Sequence, residues 1–220
     1  MKLSLILEQA RAGELASASD KDKTDRKIVS YTNLALIALY NKFQLATEEA
    51  IVTLQTDPAR TLYKMDGTDA NVLVKGELLR EDEFMAIAAA YNEDGTTINV
   101  NDDSDPASIF TVTYNQLQIP VLANNAYVSV LYRQNPEMVT YVDDGSGNAT
   151  DTSVKLPMQL LEAMLHYIGY RAHGAIKGSV DNESSTHYTR FLEACDRAES
   201  NGILTADNTV GSSVESKGFM

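Results

Sequence analysis

Apolar positions recur with a period near 3.6 at both ends of this chain and with a period near 2 in its middle. The pattern therefore separates helical flanks from a strand-rich centre. Leu3, Ile6, Leu7 and Ala10 share one helical face and predict a short helix over 2–15. After the polar break Ser17–Asp22, a second helix is expected from about Asp25 to Leu45, capped by Asp22 or Thr24. Asp25 falls in its first turn, where a carboxylate meets the positive end of the helix dipole. Ile28, Tyr31, Leu34, Ala35, Ala38, Leu39 and Phe43 form a broad stripe, and Leu36 and Ile37 spill around it. A helix apolar on nearly all sides is buried on nearly all sides. Three partner helices of similar length cannot cover it fully, so Leu34, Leu36, Ile37 and Tyr40 are the expected oligomer contact.

From Glu49 the alternation changes. Segments 49–56, 61–65, 72–74, 84–91, 97–100, 110–119 and 127–133 read as short strands, although Met85–Ala90 fits a helix equally. Turn chemistry separates them: Asp57-Pro58, Asp66-Gly67, Asn92–Gly95, Asp102–Pro106 and Asn124-Asn125. Many short strands between frequent turns predict an antiparallel sandwich or barrel and not a βαβ sheet. A Gly- and Asp-rich loop over 143–151 closes the region.

The helical period then returns. Pro157 suits a first helical turn, and Leu161, Met164, Leu165, Ile168, Ala172 and Ile176 follow on one face up to Gly178. Asp181 or Asn182 caps a last helix with Tyr188, Phe191, Leu192, Cys195 and Ala198 on its stripe, and Gly202 stops it. Glu193 and Arg197 are spaced for an i,i+4 pair on that helix. The expected fold class is α+β: a helical bundle body from 1–46 and 151–204, an inserted antiparallel β-sandwich-like domain at 47–150, and an extended tail at 205–220. The tail is rich in Thr, Ser, Gly and Asn, which predicts disorder in isolation. Val210, Val214, Phe219 and Met220 are the residues by which a partner would hold it.

Charge sharpens this division. Of the net −13, residues 46–150 supply −12, from seventeen acidic and five basic groups. Such a field repels phosphates and disfavours nucleic-acid binding by backbone neutralisation. It is compatible with lining a passage through which DNA slides without sticking. The single cysteine, Cys195, excludes an internal disulfide framework and fits a reducing compartment. No stretch approaches the roughly 18 apolar residues of a membrane span, and the apolar run after Lys2 is too short for a secretory core. Synthesis in the cytoplasm is expected.

The candidate chemistry is sparse. Asp20–Thr24 opens like a calcium loop but has Asp25 where glycine is required and Tyr31 where a bidentate Glu is required, so helix capping explains it better. The denser acidic loop Asn101–Asp105 could hold a hard cation weakly, but a solvated turn is the better reading. Glu162 and His166 read as an i,i+4 surface pair, because neither the di-iron spacing nor the zinc-protease spacing is present. Cys195 lies on an apolar stripe with no nearby histidine in sequence, which suits a buried structural thiol. No phosphate-cradling loop or serine elbow occurs, so no catalytic residue, metal ligand or cofactor is expected. Tyrosine, at eleven residues with no tryptophan, pushes mildly toward interfaces.

One ordered set of residues carries a family likeness. A strand Tyr127–Tyr132 leads to Asn135-Pro136, and after a variable loop Leu156-Pro157 precedes a helix containing Tyr167-Ile168-Gly169-Tyr170-Arg171-Ala172. A further helix through Phe191-Leu192 ends at Asn201-Gly202. With the N-terminal helix pair and the β-rich middle, this order resembles the head-to-tail adaptor (connector) proteins of short-tailed bacteriophages across nearly the whole chain. The resemblance implies a non-enzymatic virion protein at the head–tail junction. It implies a homo-oligomeric ring, ordinarily of twelve subunits, between the portal protein and a tail or nozzle protein. Helices would form the ring body, the β-domain would meet the tail, and DNA would pass through without specific binding. The rival expectations are another neck or tail-completion protein, or a module whose acidic β-insert binds a ligand or calcium.

Overall fold

The computed structural model describes residues 1–18, 20–21, 23–55, 61–120, 126–143, 145, 149–177 and 182–202. It divides into two compact units, Met1–Leu45 with the chain from Pro136 onward, and Ala46–Asn135.

The described part of the first unit holds α1 (Leu3–Ala12), α2 (Asp25–Lys42), α3 (Leu161–Lys177) and α4 (Asn182–Ser200). A 3-10 turn, Met158–Leu160, leads into α3 directly after Pro157. The α1 stripe becomes a packed face in full, and those of α2 and α4 in part. Leu3, Ile6, Leu7 and Ala10 of α1 are buried, as are Ile28, Val29, Ala35, Leu36 and Leu39 of α2. Met164, Ile168 and Ala172 of α3 and Phe191, Cys195 and Ala198 of α4 complete the interior. Each fully buried Leu, Ile or Phe contributes roughly 1.5–3 kcal/mol. α3 packs against all three other helices. Gly202, at φ 65, takes the left-handed turn that ends α4. Arg197 does not serve Glu193, as its spacing suggested, but reaches Glu162 of α3 at 2.6 Å.

Residues 136–156 belong with these helices, not with the strands, so the division falls at 135/136 and not at 150. The stretch lacks a hydrophobic period and is held by polar contacts. Asn33 of α2 exchanges two hydrogen bonds with the Val139 backbone, at 2.9 and 2.8 Å. The buried Asp25 carboxylate accepts the Ala149 N–H at 2.6 Å and pairs with the Arg11 guanidinium. Leu3 N–H donates to the Thr152 carbonyl at 2.9 Å, and the Val154 N–H donates to the Met1 carbonyl at 2.7 Å. Neither Lys2 nor Thr24 caps its helix with a side chain. For α1 that part is taken by Asp151, whose Oδ1 accepts the Ser4 N–H at 3.0 Å.

The second unit is built of β1 (Thr47–Thr53), β2 (Leu62–Lys64), β3 (Val72–Val74), β4 (Glu77–Leu78), β5 (Phe84–Asn92), β6 (Thr97–Ile98), β7 (Phe110–Thr113), β8 (Gln116–Gln118) and β9 (Tyr127–Gln134). They form one sheet in the order β4-β3-β1-β9-β5-β6 and another in the order β2-β8-β7, with every strand pairing antiparallel. One apolar cluster draws on both sheets, with Val52, Val128, Val130 and Tyr132 from the first and Tyr63 and Leu117 from the second. Met85–Ala90 is strand, paired along β9. The segment 110–119, expected as one strand, is a hairpin that reverses at Tyr114-Asn115. β4 has no counterpart in the sequence reading; it follows a tight turn at Lys75-Gly76, both at positive φ. The chain enters and leaves this unit through paired strands. Thr47 lies opposite Arg133, and the Gln134 N–H donates to the Ala46 carbonyl at 3.0 Å. Asn135 fixes the exit by donating its side chain to the Asp82 and Phe84 carbonyls, at 2.7 and 3.0 Å.

Candidate functional site

α3 and α4 are the elements on which tyrosine clusters, and their crossing assembles those rings into one surface. Tyr167 meets Phe191 edge-on at 5.1 Å between centroids and Tyr170 at 5.7 Å. Tyr170 lies 4.9 Å from Tyr188, which is 5.9 Å from Phe191. The Arg171 guanidinium sits 5.9 Å from the Tyr170 centroid, at the outer limit of a cation–π contact. Burial pushes the Tyr167 phenol up from its ordinary value, so it stays a neutral hydroxyl. With Ala38 and Lys42 of α2, these rings and Leu192 line an open groove of about 460 Å³. Tyr188 is 41% exposed and Leu192, in the same groove, is exposed too; Ile37 of α2 is exposed one position before the groove residue Ala38. Large amphipathic rings with few rotatable bonds suit protein–protein contact, where Tyr and Arg are enriched.

The expected contact residues on α2 separate. Leu36 is 1% exposed and Tyr40 is buried, its hydroxyl donating to the Lys155 carbonyl at 2.9 Å. The subunit itself covers both, Tyr40 in part through its bond to the Lys155 backbone, which the sequence pattern did not announce. Leu34 is half-buried and Ile37 is 37% exposed, so these two remain open to a neighbour. Val210, Val214, Phe219 and Met220 lie outside the described residues.

A second constellation is polar. Glu14, in the turns after α1, extends one carboxylate oxygen to His166 Nδ1 at 3.1 Å and the other to His187 Nδ1 at 2.6 Å. His173 stacks flat on His187, 4.9 Å between centroids and 7° between planes, and its Nε2 is 3.0 Å from the Glu14 carbonyl. All three histidines of the chain thus gather at one glutamate. The His187 contact holds the Glu14 carboxyl below its ordinary range, against burial and with help from His166. Glu162, the partner expected for His166, is farther away, at 3.6 Å from Nε2. Sequence spacing could not reveal Glu14, which belongs to no stripe and comes from the opposite end of the chain.

The other candidates are structural. Cys195 is buried, and burial pushes its thiol up to about 11, far from thiolate reactivity. In the turn Asn101–Asp105 the carboxylates serve their own loop. Asp102 Oδ1 accepts the Ser104 N–H and hydroxyl, and Asp105 accepts the Ala107 N–H and the Asn99 amide. No described helix is long and apolar enough to cross a membrane.

Compared with known families, the chain matches the model described as SU10 adaptor protein over residues 1–213. No curated protein matches it.

Proposed function

Because the chain belongs to the SU10 adaptor protein family, we propose that it is a structural virion protein forming a ring, ordinarily of twelve subunits, at the phage head–tail junction. The ring joins the portal protein to the tail or nozzle and extends the DNA channel. The family match across nearly the entire chain carries this reading. The helical unit serves as a bundle-like ring body, with the surface around Ile37, Tyr167, Tyr170, Tyr188 and Leu192 turned to the neighbouring subunit. The two sheets around their shared apolar cluster act as a sandwich-like insert that meets the tail. Val112 and Tyr114, at the exposed hairpin of the second sheet, offer it apolar contact area; Tyr114 is 82% exposed. The concentration of negative charge in residues 46–150 keeps DNA from adhering as it passes. Residues 205–220 reach the portal or an adjacent subunit through Val210, Val214, Phe219 and Met220.

Native mass spectrometry of the purified chain mixed with its portal, together with electron microscopy of mature particles, tests this. A closed ring of identical subunits at the particle neck is expected. A chain that stays monomeric with the portal and is absent from the neck overturns the reading.

A further inference from the structure

Three side chains from three separate elements converge on one point: Glu14 after α1, His166 on α3 and His187 on α4. Each offers one donor atom, and all three donors lie within 4.8 Å of one another. Zinc held at about 2.0–2.1 Å from each ligand in a tetrahedron places its donors roughly 3.3 Å apart. The Glu14 oxygens already stand 3.1 and 2.6 Å from the two Nδ1 atoms, so a small spreading opens room for the ion.

Three further observations favour a ligand over a self-contained hydrogen-bonded cluster. Both Nδ1 atoms are buried and point at the Glu14 carboxylate as their one close partner, at angles poor for a hydrogen bond. The opposite ring nitrogen of His166 lies 3.6 Å from the exposed Glu162 carboxylate, which also pairs with Arg197 at 2.6 Å. A carboxylate behind a liganding imidazole orients the ring and raises its basicity. Finally, Glu14 and His187 line an open cavity of about 520 Å³ together with Gly13, Ser17, Thr186 and Arg190. That opening gives an ion its entry path and leaves room for water as a fourth ligand.

The donor set selects the ion. Two imidazoles and one carboxylate suit zinc and its neighbours, whereas calcium and magnesium require shells of oxygen. We propose that Glu14, His166 and His187 form a binding site for one zinc-class divalent cation, which ties the segment after α1 to the α3–α4 pair. His173, stacked on His187, positions that ring and is not a ligand.

The test uses the full chain, treated with chelator and titrated with cobalt(II), whose visible absorption reports tetrahedral nitrogen–oxygen coordination. Saturation at one equivalent, displacement by zinc, and a melting temperature raised by zinc but not by magnesium are expected. Glu14→Gln, His166→Gln and His187→Gln each weaken binding at least tenfold, while Cys195→Ser leaves it unchanged. Should these variants fold poorly, X-ray absorption of the parent zinc complex decides by counting two imidazoles. Absence of a one-to-one complex, loss of binding in a folded Cys195→Ser, or a zinc shell without imidazole overturns the proposal.

Discussion

Gly169 of α3 lies where the His187 ring of α4 needs space: a Cβ at position 169 would come within 2.9 Å of His187 Nδ1 and 3.1 Å of two ring carbons. The glycine is therefore part of the histidine cluster without touching it chemically. His187 cannot simply swing aside, since His173 stacks on it and Glu14 holds its nitrogen. Gly169→Ala is expected to destabilise the chelator-treated protein by about 1–3 kcal/mol through overpacking. Adding His187→Ala should recover much of that loss in a double-mutant cycle measured by urea unfolding. A single mutant as stable as the parent contradicts the close approach.

Asp25 is the second expected weak point. Its buried carboxylate receives the Ala149 N–H and the Arg11 guanidinium, so Asp25→Ala strands the half-buried Ala149 N–H while the half-exposed Arg11 recovers water. A loss of about 2 kcal/mol follows, and Arg11→Ala should cost less. Equal losses in urea titrations of the two variants argue against this ordering.

Asp151 supplies a pH signature. The Ser4 N–H, first, and then the Ser4 side chain and Lys2 hold its carboxyl below the ordinary 3.8. Its folded pKa is depressed, so its contribution is fully present above 3.8 and is lost as pH falls through the folded value. Asp151→Asn should therefore melt below the parent at pH 7, with the gap closing as pH drops below 3.8. A gap that is constant across this range means that the charge on Asp151 plays no part in capping α1.

Neighbouring residues on α2 separate folding from assembly. Leu36→Glu places a charge inside the subunit and should cost at least about 3 kcal/mol, lowering the melting temperature sharply. Ile37→Glu, on the exposed side, should leave melting near that of the parent but weaken self-association in sedimentation velocity. The proposed contact fails if Ile37→Glu associates like the parent.

What the sequence disclosed follows physical range. The stripe of α1 is a local repeat that burial follows throughout, whereas in α2 the buried face shifts to Val29, Leu36 and Tyr40 and in α4 Tyr188 and Leu192 of the stripe stay exposed. The alternation of 127–133 likewise becomes β9, buried along nearly its whole length. Tyr114-Asn115 reverses a strand without glycine or proline, and in the Lys75-Gly76 turn only the glycine marked a reversal, since Lys75 takes positive φ without being a residue type that announces it. The placement of 136–156 rests on single polar contacts such as Asn33–Val139, which have no period at all. The tyrosine surface was foreseen as composition but not as a face. The meeting of Glu14 with three histidines required the completed fold.

The polar contacts that bind residues 136–156 to the first two helices also dictate an order in time. Tyr40–Lys155, Asp25–Ala149 and Asn33–Val139 span 115, 124 and 106 positions. A ribosome adding about 5–20 residues per second must finish the whole insert before any of them can form. The strand pairings of residues 46–135 can close before then, since every one of their partners precedes Val139 in the chain. α1 and α2 meanwhile carry their apolar stripes uncovered, a state open to unwanted association. The helices made first are thus completed last, and the nascent chain is most vulnerable while its second unit is being built.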